Sequence, residues 1–329
     1  MNVGLFAADP APYRLAACRA PEVVLRALAP YRPDLEGVDA LIVDEPGAAL
    51  YQLARGALAR GIHVFARARG PLTVRQLIVL REAAGRRGLH LRLAAPWADS
   101  TPLKAFRRAL HQPTSGPWCF RLVRRLPAAA SVADASFEEL AFIAHALDVP
   151  PATVACQQTA DVSPAARFLT LTAPGLIAHA TVTRLECGPE REVVAATDGR
   201  ALHFTSSSEG VHALTVTGQD HQTEGRRSLR RSDAAEPVLP ALVAEAEAFL
   251  SSLAHPAAAR PADLRALAAW GRAALLWEAA NASLEEGGVP AGAPERALLT
   301  NTNPPPLRLI QGGGGESPTR SPRTLTLVR

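Results

Sequence analysis

The chain is nearly free of lysine: Lys104 is the only one in 329 residues, so almost all of its positive charge is arginine. Aromatic residues make up 5% of it, and there is a single methionine. With aromatics this sparse and basic pairs scattered (Arg86-Arg87, Arg107-Arg108, Arg124-Arg125, Arg226-Arg227, Arg230-Arg231), no basic, aromatic-laced surface for nucleic acid is expected. The formal net charge of +4 is modest over this length. Its four cysteines, Cys18, Cys119, Cys156 and Cys187, lie far apart without metal-ligand spacing. That excludes a disulfide framework or a zinc ribbon and fits reduced thiols in the cytoplasm. No run of about 18 apolar residues is present, so no membrane span is expected. Met1 to Phe6 lacks a basic n-region and reads as a first strand rather than a signal peptide. Also missing are a Gly-x-Ser-x-Gly elbow, a P-loop, a His-Glu-x-x-His pair and a Cys-x-x-Cys.

What is present is alternation. Strands are expected near 2–7, 38–43, 62–66 and 89–94, and helices near 10–19, 47–60, 73–87 and 101–111. This order predicts a doubly wound, parallel α/β sheet of Rossmann type over residues 1–115. The stretch between Pro21 and Asp39 is cramped, with one short apolar run from Glu22 to Leu28. From residue 116 the pattern changes. A strand at 118–123 and a helix at 136–147 precede strands near 152–158, 166–172, 177–187, 191–197, 200–206 and 211–217. Thr197-Asp198-Gly199-Arg200 is a hairpin signal. A second, α+β domain with a large open, mainly antiparallel sheet is therefore expected over 116–293. Closing helices fall in 237–285, the first with Leu239, Leu242, Ala246 and Phe249 on one stripe. Pro304-Pro305-Pro306 and the Gly312 to Gly315 run predict a mobile tail over 294–329.

The clearest local unit runs from Val38 to Ala84. A buried strand ends at Asp44-Glu45-Pro46, a helix stops at Gly61, and a second strand ends at Arg67-Ala68-Arg69. Ligands of open α/β sheets sit beyond the carboxyl ends of such strands, which puts Pro46 and Arg67 to Arg69 beside a pocket.

With this order of parts the chain resembles the glucose-fructose oxidoreductase / inositol dehydrogenase (Gfo/Idh/MocA) family, over about residues 1–290. The segments that carry the resemblance are Val38 to Val43 with Pro46, Ala59 to Val64, Pro71-Leu72-Thr73-Val74, and Ala246 to Leu250 through Ala279 to Ser283. The resemblance implies a dinucleotide-binding domain, an NAD or NADP cofactor, and a sugar-like or small alcohol substrate. It also implies subunits that pair through the open sheet, as a homo-oligomer or as a heteromer with an active paralogue.

At the positions where the family carries its chemistry, this sequence departs from the pattern. The glycines of Gly-x-Gly-x-x-Gly, which let the backbone approach a pyrophosphate at a helix N-terminus, become Ala7, Asp9 and Pro12. Asp9 is expected to N-cap the first helix with Pro10 at its first position, placing a carboxylate where a phosphate would bind. No acidic residue follows Val23-Val24-Leu25 to hold a ribose, since Arg26-Ala27-Leu28 comes next. Ala68 stands where the family has its catalytic lysine, and Ala68 cannot donate a proton. Arg67 and Arg69 are candidate anion ligands, being too basic for acid/base work. Lys104 lies on a later helix and reads as a solvated side chain. At the pocket helix, Glu138 takes the family's histidine position and Ala141 its aspartate position, with Asp134 and Glu139 as neighbouring carboxylates. Glu138 is the candidate general acid/base. His145 and His63 read as packed, structural residues.

Three readings follow. The first is a non-catalytic relative acting as a binding or scaffold partner, with no cofactor expected. The second is a divergent NAD(P)-dependent oxidoreductase. The third is a sensor that holds an anionic metabolite on Arg67 and Arg69.

Overall fold

The structure is a computed structural model and describes residues 1–20, 22–28, 34–95, 101–110, 118–147, 153–159, 165–185, 190–197, 199–206, 212–218, 241–253 and 256–293. The expected tail from 294 onward lies outside the described residues.

Apolar runs buried on both faces, with one exposed edge strand, form the first sheet. β1 (Asn2–Ala7), β2 (Val24–Ala27), β3 (Ala40–Pro46), β4 (His63–Arg69) and β5 (Leu91–Leu93) are all parallel, in the order β2-β1-β3-β4-β5. Between them run α1 (Ala11–Cys18), α2 (Gly47–Ala59) and α3 (Val74–Arg87). The cramped 21–39 stretch supplies β2 as a short edge strand.

Local signals set the ends of these helices. After α2, the amides of Gly61 (φ +84°) and Ile62 donate to Leu58 and Ala57, a Schellman closure that needs glycine in the left-handed region. Thr73 and Gln76 close a reciprocal capping box at the start of α3. There Glu278 also accepts from the Val74 amide, tying a late helix to this turn.

Two expected strand ends move. β3 runs on to Pro46 and β4 to Arg69, because the parallel register continues through Asp44↔Arg67, Glu45↔Ala68 and Pro46↔Arg69. Arg67 to Arg69 are therefore strand residues with fixed side-chain directions, not loop residues beyond the strand.

The second sheet has eight strands in the order β12-β11-β10-β6-β9-β8-β7-β13. They are β6 (Trp118–Arg125), β7 (Thr153–Thr159), β8 (Ala166–Ala173), β9 (Leu176–Thr183), β10 (Arg191–Thr197), β11 (Arg200–Ser206), β12 (His212–Gly218) and β13 (Ala291–Gly292). All pairings are antiparallel except β6 with β9. Strict alternation puts Phe120, Leu122, Ala178, Ala180, Leu169, Leu171, Val193 and Ala195 on one buried face. That face is covered by α4 (Thr101–Leu110), α5 (Val132–Leu147) and α7 (Pro256–Glu285). α5 begins at Val132, one turn earlier than its periodicity predicts, and α7 begins at Pro256 instead of 261.

α6 (Ala241–Ser252) does not pack on this sheet. Its Leu242, Ala246 and Phe249 stripe joins Val3, Leu5, Tyr13, Ala16, Ile42 and Phe65 in a separate core beside α1 on the first sheet. Leu239 lies outside the described residues. α6 is held there by Glu245, which accepts the Ala95 amide on both oxygens and the Arg92 Nε–H at 3.2 Å. α7, about 45 Å long by helical rise, crosses from the first sheet to the second and packs on β5, α3, α5 and β7. One continuous core thus joins the main face of both sheets.

Candidate functional site

In a doubly wound sheet the ligand crevice opens where the strand order reverses, here between β1 and β3. The sequence places three family positions at that point: Ala7 at the end of β1, Asp9 before α1, and Pro46 at the end of β3. Register puts Ala7 directly beside Asp44, and Asp44 beside Arg67.

Asp44 is the centre of this site. It is 1% exposed, at the carboxyl end of β3. Arg69 donates to both of its oxygens, Nε to Oδ1 at 2.6 Å and Nη2 to Oδ2 at 3.0 Å. The Tyr13 hydroxyl donates to Oδ2 at 2.8 Å, and Arg67 Nη1 lies 3.5 Å from the same oxygen. Tyr13 belongs to α1 and is wholly buried, edge-on to Phe65. Burial, with the Asp44 charge beside it, pushes its phenol far above the ordinary tyrosine value. The hydrogen bond to Asp44 raises the Arg69 guanidinium above its own usual value. Period-two geometry puts Asp44, Arg67 and Arg69 on the α1 face of the sheet, so one carboxylate holds two arginines and a phenol together at the crevice. Arg67 and Arg69 keep about two-fifths of their side chains exposed.

Asp9 departs from its expected place by one residue. Pro10 is the N-cap of α1, and the Asp9 Oδ1 reaches forward to accept the Ala11 amide at 3.1 Å. A proline at Pro10 has no N–H to donate, so the first free amide of the helix is Ala11, and Asp9 takes it. Pro12 lies in the first turn and carries no amide hydrogen either. Pro46 is the N-cap of α2, with no side-chain cap of its own. The α2 start approaches the turn after β4 so closely that a Cβ on Gly47 would sit 2.1 Å from the Pro71 carbonyl oxygen.

Ala68, at the family's lysine position, points to the opposite face from Asp44 and packs on the main core. A second carboxylate near the end of β4 is that of Asp134, which stands against Gly70. A Cβ on Gly70 (φ +119°) would meet Asp134 Oδ1 at 2.6 Å. Glu138, one turn later on α5, faces the second sheet, with Oε1 3.9 Å from Arg191 Nη2 and a side chain 36% exposed. The structure does not bring Glu138 together with the Asp44 group.

Its neighbour Glu139 is fully buried and grips Arg191 through two bonds, 2.8 and 2.6 Å, with Arg124 Nε at 3.5 Å. Arg124 also pairs with Glu190, and the Arg191 guanidinium lies 4.5 Å over the Phe142 ring. Burial lowers the Arg191 value, but Glu139 and its neighbouring carboxylates outweigh it, and the guanidinium is held above its ordinary range.

Lys104 is exposed on α4. His145 is half-buried with Nε2 3.2 Å from Arg107, and His63 accepts the His90 amide on Nδ1 at 2.9 Å. Both are packed residues, as their sequence contexts indicate. Cys18, Cys119 and Cys156 are free thiols, and no group of metal-ligating side chains occurs among the described residues. No helix among them is long and apolar enough to cross a membrane.

Sequence reasoning missed Tyr13 and Asp44 as site residues. The readable signal was an acidic residue ending an otherwise apolar strand, followed one βα unit later by two alternating arginines.

No protein-family model matches the sequence, and no curated protein matches it. The fold does match solved structures. UDP-N-acetylglucosamine 3-dehydrogenase GnnA from Acidithiobacillus ferrooxidans superposes with a TM-score of 0.66 at 18% identity, over 87% of this chain and 98% of that one. Levoglucosan dehydrogenase in complex with NADH and L-sorbose gives 0.69 at 12% identity, over 90% and 99%. An oxidoreductase from Agrobacterium radiobacter, in complex with NAD+, L-tartaric acid and magnesium, gives 0.63 at 12% identity, over 89% and 98%. This chain is built on the two-sheet fold of the Gfo/Idh/MocA-type oxidoreductases.

Proposed function

We propose that this chain is a non-catalytic relative of these oxidoreductases, a binding or scaffold protein whose dinucleotide crevice is closed from within. The observation that carries the reading is the Tyr13–Asp44–Arg69 group at the strand-order reversal. A pyrophosphate there would meet a buried carboxylate and the Asp9 carboxylate, which already holds the first free amide of α1. Anion binding at a helix start depends on free N–H groups, and Pro10, Pro12 and the Asp9 carboxylate leave fewer of them here. Ala68 adds no proton donor at the end of β4. These residues do not suit NAD or NADP.

A second reading, a divergent NAD(P)-dependent oxidoreductase on a sugar-like or small alcohol substrate, is favoured by two observations. The superposed enzymes include NADH- and NAD+-bound forms, and the Asp134 carboxylate stands against Gly70 at the end of β4. A fluorescence titration with NADH and NADPH separates the two. The first reading expects no saturable change in nicotinamide emission; saturation at micromolar concentration would overturn it.

We also propose that the chain is cytoplasmic, which the three free thiols among the described residues suit, and that it self-associates. The helices packed on the eight-stranded sheet cover one face of it. The other carries Phe168 and Ile177, 43% and 48% exposed on adjacent strands, which suits a second copy.

A further inference from the structure

A row of side chains, polar except for Val182, crosses the inner face of the second sheet at one end. Register aligns Arg191 on β10 with Arg124 on β6, Arg124 with Val182 on β9, Val182 with Arg167 on β8, and Arg167 with Gln158 on β7. At one end of the row the charges are matched, since Glu139 and Glu190 hold Arg191 and Arg124. At the other end they are not.

Arg167 is 6% exposed, and among the described residues no carboxylate pairs with it. Its Nη1 is buried without a hydrogen-bond partner. Its guanidinium lies 4.8 Å from the centre of the Trp277 ring, which fixes its plane. Burial pushes it below the ordinary arginine value, countered only by the nearby Cys156 thiol. A buried cation without a counter-ion is costly, and the usual remedy is a forked, charge-assisted contact to an anion.

The edge of the guanidinium that would make that fork is held by a neutral substitute. Nε and Nη2 both donate to the one amide oxygen of Gln158, at 3.2 and 2.6 Å. Gln158 shares the inner face with Cys156 and Arg167, yet it is exposed, because it sits near the end of β7, beyond Thr153 and Val154, the residues that β13 pairs with. Rotation of one exposed side chain therefore uncovers the fork.

We propose that Arg167, backed by Trp277 and gated by Gln158, is a binding site for the carboxylate or phosphate group of a small anionic ligand, which displaces the Gln158 amide. The site lies on the second sheet and does not depend on whether a dinucleotide binds the first. Arginine suits it where lysine would not, because the planar fork presents two parallel donors to one acid group.

The test uses the full chain, with sodium succinate and inorganic phosphate as probes and sodium chloride at equal ionic strength as reference, read by melting temperature and calorimetry. At least one probe should raise the melting temperature by about 5 °C at a hundredfold excess over its Kd, and the tighter probe identifies the acid group. Gln158→Ala removes the internal competitor and should tighten binding about three- to tenfold. Gln158→Glu supplies a tethered carboxylate, so it should melt higher than wild type and lose the response to either probe. Arg167→Met should lose the response as well. If neither probe shifts the wild type or Gln158→Ala beyond chloride, or if the response survives in Gln158→Glu, the proposal is wrong.

Discussion

Arg69 holds Asp44 by both carboxylate oxygens, at 2.6 and 3.0 Å, across the adjacent ends of β4 and β3. Asp44 is buried and Arg69 keeps two-fifths of its side chain in solvent, so the carboxylate depends on its partners more than they depend on it. Asp44→Ala leaves two guanidiniums and a phenol without an acceptor and should destabilise the chain by about 3–5 kcal/mol. Tyr13→Phe removes one bond to a charged acceptor and should cost about 1.5–3 kcal/mol. Urea denaturation of both variants checks the order.

The Glu139–Arg191 pair makes the opposite kind of case. Both side chains are buried within the main core, against Phe142. Glu139→Ala alone should cost about 3–5 kcal/mol, whereas the double replacement Glu139→Leu with Arg191→Met should recover most of that loss. A double-mutant cycle by chemical denaturation measures the coupling.

How much of this was readable in advance differs between the two pairs. For Asp44, the strand was legible from its apolar run, but its true end was not. Only the register with β4 carries the strand on to Pro46 and aims Arg67 and Arg69 at the same face. For α5, twelve of its sixteen residues are buried, so no apolar stripe distinguishes Glu138 from Glu139. The buried partner is fixed by Arg191, 52 residues away. The α6 stripe was legible too, while its destination on the first sheet depends on contacts with α1 that no local pattern encodes.

Gly47→Ala should fail for a steric reason. Its Cβ would lie 2.1 and 2.9 Å from the oxygen and carbon of the Pro71 carbonyl, which are backbone atoms with little room to yield. A loss of about 1–3 kcal/mol is expected. Gly56→Ala, on the same helix with open space around its Cβ position, should be neutral or stabilising. Thermal melting of the two variants side by side gives the contrast.

His63 gives the stability of the chain a pH dependence. Burial lowers its value below the ordinary 6.5, the neighbouring His90 lowers it further, and Asp39 opposes both. A group whose folded value is depressed binds its proton first in the unfolded chain. Its contribution is therefore present above pH 6.5 and is lost as the pH falls from 6.5 toward the folded value. Protonation also removes the Nδ1 acceptor of the His90 amide. Across that window stability should rise with pH at up to about 1.4 kcal/mol per unit. Asp263, paired with His90 and facing Arg92, has a value raised by burial and acts with the opposite sign above pH 3.8. The difference between wild type and His63→Gln in denaturation midpoints from pH 5 to 7 isolates the His63 part.

The self-association proposal predicts that Ile177→Glu shifts the sedimentation coefficient toward that of a single chain without lowering the melting temperature of the fold. The side chain is half exposed on the outer face of the sheet, where a charge costs little unless a partner covers it.

The closed crevice is tested most directly by the melting temperature of the wild-type chain in 1 mM NADH and in 1 mM NADPH. A site with a Kd of about 10 μM would stabilise the fold by about 2.7 kcal/mol, a shift of several degrees. With Asp44 occupied by Arg69 and Tyr13, and the Ala11 amide held by Asp9, neither nucleotide should move the melting temperature. A saturable rise of several degrees with either one would contradict the account.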